Sequence, residues 1–174
     1  MISSFRRQFE WLLTAFVTLL LASLAIIVLL GVTFRKLDAS LVWYDEVASV
    51  MLAWLTYYGA SLAALKRAHI GFPGLVNALP PPWRVTAVMV GEVIVIGFFA
   101  TLAWFGYQVL VILDGDTLVS LPSIPTRLTQ SVIPVGSVLF IVAQLLSLPE
   151  LLEQARGQGV VDADHKALEE ALQK

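Results

Sequence analysis

Trp11 to Phe34 reads WLLTAFVTLLLASLAIIVLLGVTF, 24 residues without one charged side chain. A helix needs about 20 predominantly apolar residues to cross a bilayer, so this stretch alone points to a membrane span. Three more stretches follow, giving four predicted transmembrane helices at about 11–34, 44–66, 84–113 and 131–149. With 58% hydrophobic and 14% charged residues and a mean hydropathy of +0.82, little sequence remains for a soluble domain. The expected fold is an all-α integral membrane protein, with a four-helix transmembrane domain over 1–149 and a polar tail over 150–174. The pair Arg6-Arg7 ahead of an apolar run resembles a signal peptide, but the run is longer than a signal core, and an uncleaved first span is expected.

Composition excludes several chemistries. There is no Cys, which removes disulfide, iron–sulfur and thiol-nucleophile functions. The two histidines, His69 at the end of span two and His165 in the tail, cannot face each other as paired haem ligands. No catalytic, metal-binding or cofactor-binding set is expected. The formal net charge of −2 gives no reason to expect a nucleic-acid partner.

Positive charge marks the cytoplasmic side of a membrane protein. Arg6, Arg7, Lys66, Arg67, Arg84 and Arg156 fall at one set of span ends, against Arg35, Lys36 and Arg127 at the other. Both termini are therefore expected in the cytoplasm, with Asp38, Asp45, Glu46, Asp114 and Asp116 gathered on the outer side. Between spans two and three, Phe72 to Leu79 is apolar but too short to cross, and Pro80-Pro81-Pro82 stops a helix ahead of Trp83. This reads as an interfacial segment in contact with membrane lipid. After Gly157-Gln158-Gly159, Asp162 is placed to cap a short cytoplasmic helix through Leu172.

Two features go beyond topology. In span two, Ser49, Ala53, Tyr57, Ala60 and Ala64 share a face with Glu46, and small residues on one stripe let helices approach closely. That stripe serves either packing within a four-helix bundle or contact with another membrane subunit. In span three, Glu92 is a carboxylate well inside the hydrocarbon, a functional candidate because charge there is costly. It is expected either to be protonated or paired with Arg84 or Arg67, or else to line a polar path.

Trp43-Tyr44-Asp45-Glu46, then Trp54, Tyr57-Tyr58-Gly59-Ala60 and Lys66-Arg67-Ala68-His69-Ile70, resemble the small, Q-type membrane subunit of tripartite ATP-independent periplasmic (TRAP) transporters. Ile124-Pro125 and Ile133-Pro134-Val135-Gly136 resemble a second signature of that family at the start of its fourth span. An acidic residue that the family commonly carries after His-Ile is replaced here by Gly71-Phe72-Pro73-Gly74. The resemblance implies a scaffold subunit, not an enzyme, in a sodium-coupled transporter of organic anions such as carboxylates or sialic-acid-like substrates. It implies two partners, a large elevator-type permease subunit and a periplasmic substrate-binding protein, and a location in the bacterial inner membrane. It marks Trp43, Glu46, Trp54, Tyr57, Gly59, Ala60, Arg67, His69, Pro134 and Gly136 as interface or motif residues. The polar ending implies that the large subunit is a separate polypeptide. The alternatives are an intramembrane enzyme using Glu92, Asp45 and Glu46, and a small self-assembling channel or transporter using Glu92.

Overall fold

The computed structural model describes residues 2–68 and 73–157. The described residues form six helices: α1 (Ile2–Lys36), α2 (Tyr44–Lys66), α3 (Pro73–Asn77), α4 (Pro81–Ile112), α5 (Thr126–Gln130) and α6 (Val132–Arg156). No β-strand occurs among them; the one extended pairing is an isolated bridge between Thr117 and Pro125. Four helical stretches are long and apolar enough to cross a membrane, α1, α2, α4 and the α5–α6 run. The expected all-helical four-span architecture is therefore what the chain adopts. His69 and the helix expected after Asp162 lie outside the described residues.

Each helix ends for a local reason. At the end of α2, Arg67 adopts the left-handed conformation (φ 53°, ψ 36°), and its N–H and that of Ala68 close on the carbonyls of the last turn. Pro81 and Pro82 open α4, where missing amides cost nothing. The expected end of the fourth span at Pro149 is not the end of a helix. The helix runs through that proline to Arg156, because proline removes one hydrogen bond and neighbouring turns, packed against α2 and α4, hold the rest.

The spans do not close into a bundle. They stand in a row, α1–α2–α6–α4: α6 packs against both α2 and α4, and α1 packs against α2. The fourth span is accordingly the most enclosed, and the first has the fewest buried residues. Helix association in lipid depends on close packing and not on a hydrophobic drive between helices, and three glycine contacts supply it. A side chain at Gly31 would strike the Tyr44 ring, one at Gly136 would come within 2.7 Å of Tyr57 Cβ, and one at Gly106 within 2.8 Å of Ile133. Ala64, Leu65, Phe140 and Ala143 form the buried centre. There Phe99 of α4 stacks on Phe140 of α6, with centroids 3.7 Å apart and rings 12° from parallel.

The helix ends sort by charge. At one end, here the basic end, lie the start of α1, the end of α2, the start of α4 and the end of α6. They are tied by Lys66–Glu10 (3.3 Å), Arg6–Glu150 (3.1 Å) and a hydrogen bond from Arg6 to the Leu65 carbonyl (3.3 Å). The opposite, acidic end carries the turn around Asp38 and the loop from Leu113 to Pro125.

Candidate functional site

Glu92 sits on the buried stripe of α4, about 16 Å along the helix from Pro81. It is only 6% exposed. Both of its oxygens are occupied. Oε1 accepts from Arg67 Nη2 at 3.0 Å, and Oε2 accepts from Gln144 Nε2 at 2.7 Å. The same guanidinium donates through Nη1 to Ser147, at 3.2 Å to Oγ and 3.4 Å to the carbonyl. One carboxylate thus joins α2, α4 and α6. The left-handed turn at Arg67 matters here, because that residue both ends α2 and supplies the guanidinium. Arg84, the other expected partner, turns elsewhere: it donates to the carbonyls of Asn77, Leu79 and Gly157, each at 3.3 Å, and its buried Nε has no hydrogen-bond partner among the described residues. Three carbonyls at the ends of α3 and α6 take the place of a counter-ion.

At the acidic end a second carboxylate holds a loop. Glu46, in the first turn of α2, accepts from the Val119 amide (3.0 Å), the Ser120 amide (2.8 Å) and the Ser120 hydroxyl. Asp45 is exposed and points away from it, as their 100° separation on a helix requires. Glu92, Asp45 and Glu46 do not come together, and no group of three or more His, Cys, Asp or Glu side chains forms a metal-binding cluster among the described residues.

A family model for the DctQ component of tripartite ATP-independent periplasmic transporters matches residues 24–154. The chain belongs to the DctQ family. It is thus a membrane component of a TRAP transporter, a family of transporter parts and not of enzymes. No curated protein matches it.

Within this DctQ chain, the motif residues are mostly contacts between spans. Tyr57 covers Gly136, whose carbonyl also accepts from Ser61 at 3.3 Å. Pro134 packs over Gly106, and Trp54 Nε1 donates to the Thr129 carbonyl at 2.9 Å, tying α2 to α5. Ala60 packs against the buried centre. Trp43 is the residue before α2 and makes no side-chain cap. Gly59 has open space where a side chain would be. The small-residue stripe of α2 divides: Ala64 is buried and Ala60 half-buried, whereas Ser49 and Ala53 are exposed. Sequence reasoning missed Gln144 and Ser147, which complete the Glu92 cluster, and Ser61. All three are neutral. The available signal was spacing, since Ser137, Gln144 and Ser147 fall on one face of α6 with Phe140 and Ala143.

Proposed function

We propose that this chain is the fixed scaffold of a sodium-coupled TRAP transporter for organic anions, carboxylates or sialic-acid-like molecules. It stands beside a large elevator-type permease subunit that carries the substrate and sodium sites, and a periplasmic binding protein feeds that subunit. It lies in the bacterial inner membrane with both termini in the cytoplasm, residues 1–149 embedded and 150–174 beyond the membrane. The observation that carries this reading is the occupancy of Glu92. A carboxylate on an ion route must exchange partners with the passing ion, whereas both oxygens of Glu92 are taken by Arg67 and Gln144 across three helices. That arrangement supports a rigid element and speaks against a self-assembling channel. The exposed Ser49 and Ala53 half of the α2 stripe is where a partner helix could approach closely.

Two measurements test the proposal. Tagged chain should co-purify with a much larger apolar subunit; a pure homo-oligomer would sink it. Glu92→Gln keeps hydrogen bonding but removes charge. Its transport in reconstituted vesicles, normalised to assembled complex, should keep its sodium dependence, and loss of coupling in fully assembled complex would reverse the assignment. For orientation, reagents applied from outside should label a cysteine placed at Asp116 but not at Ser3 or Lys174.

A further inference from the structure

Helix α6 buries one stripe, including Phe140, Ala143, Gln144, Ser147 and Leu151, and turns a second stripe outward. At the basic end that second stripe lines an open groove of about 520 Å³, formed by Leu145, Leu148, Pro149, Leu152, Glu153 and Arg156. The volume lies in the range of small-molecule sites. The groove is apolar for two turns and then ends in two opposite charges. Its shape follows from Pro149, which has no N–H to offer the Leu145 carbonyl and so interrupts the hydrogen-bond ladder at its centre.

The two charges are the informative part. At this end Arg6 is paired with Glu150, Lys66 with Glu10 and Arg67 with Glu92. Glu153 and Arg156 form no ion pair among the described residues, with each other or with a neighbour. They are exposed at the end of the helix, separated by a rise of about 4.5 Å along its axis. An anionic ligand would meet Arg156 but be repelled by Glu153, and a cationic one the reverse. A ligand carrying both charges a short spacer apart satisfies both.

We propose that this groove binds a glycerophospholipid with a primary-amine headgroup, of the phosphatidylethanolamine type. The upper part of an acyl chain lies along Leu145 and Leu148, the glycerol sits beside Leu152, the phosphate meets the Arg156 guanidinium, and the ammonium donates to the Glu153 carboxylate. The apolar wall is too short for a spanning helix, since Leu145 to Leu152 rises only about 10 Å, and it passes directly into the charge pair as a lipid passes into its headgroup. The site goes beyond the scaffold function and does not depend on it.

Native mass spectrometry of the full chain in mild detergent tests this. The micelles are doped in turn with phosphatidylethanolamine, phosphatidylcholine and phosphatidylglycerol of identical acyl chains. Phosphatidylethanolamine should be retained about fivefold more than either competitor, the ratio one partly exposed ion pair provides. Glu153→Gln should erase that preference while phospholipid is still retained, and Arg156→Gln should lower retention of all three. The readout is a ratio within each variant, so a lower yield of folded protein does not imitate it. Equal retention of the three lipids, stronger retention of phosphatidylglycerol, or an undiminished preference in Glu153→Gln would each overturn the proposal.

Discussion

At the basic end of the row, a carboxylate and a guanidinium lock three helices together side chain to side chain; at the acidic end, a carboxylate holds only a loop, through that loop's backbone. Glu92 and Glu46 are the same chemistry spent differently. Glu92 is deep enough that an unpaired charge would be prohibitive, so its partners must come from neighbouring helices. Glu46 stands at a helix N-terminus near water, where its charge is tolerated and where the amides of Val119 and Ser120 supply donors. The difference teaches that depth decides whether an acid organises spans or organises a connection.

Removing Arg67 strikes this contrast hardest. Arg67→Met leaves Glu92 buried beside Gln144 alone and should cost about 3 kcal/mol or more, read as lost folded yield and a lower unfolding temperature in detergent. Replacing both members, Arg67→Met with Glu92→Leu, should recover much of that loss, because the penalty comes from the unpaired charge and not from the missing attraction. A single Arg67→Met variant as stable as the parent would break the comparison.

Packing comes next. Gly136→Val places a side chain where Tyr57 already sits and should cost about 1–3 kcal/mol as overpacking. Gly59→Ala meets open space and should be neutral or stabilising by up to about 1 kcal/mol through helix propensity. If both variants behave alike in thermal unfolding, α2 and α6 are not in the contact described.

The smallest global effect is expected from Glu46→Ala. It frees the loop without disturbing the helices, so hydrogen exchange should accelerate at the Val119 and Ser120 amides while the amides of α6 stay protected. Faster exchange throughout α6 would mean that Glu46 also holds the spans.

These features differ in how readable they are from sequence. The four spans are plain, because an uncharged run such as Trp11–Phe34 admits no other reading. Glu92 is plain for the same reason in reverse, a charge where none is affordable. Its expected partners are Arg67 and Arg84, which share its end of the membrane, and the left-handed turn at Arg67 decides between them. Gln144 and Ser147 escape because neutral polar side chains are common in spans and acquire meaning only beside a specific neighbour. The row arrangement escapes as well. Helix α4 is apolar on every side, so its pattern does not say which face meets protein and which meets lipid. The run of helix beyond residue 149 escapes too, because Pro149 reads locally as a breaker, while its neighbours in three dimensions carry the helix past it.

The single row has a mechanical consequence. Most domains are two layers thick, and the second layer resists bending; a wall one helix thick, about 10 Å, is stiff against sliding within its own plane and compliant out of it. Two of the ties described here reach past a neighbour, from Arg67 at the end of α2 to Glu92 of α4 and from Arg6 of α1 to Glu150 of α6, and both lie toward the basic end. Among the described residues no ion pair does the same at the acidic end. The acidic end is therefore the more compliant of the two, so that a load from whatever lies against the faces of the row would be taken up there as curvature, while the basic end would follow as one piece.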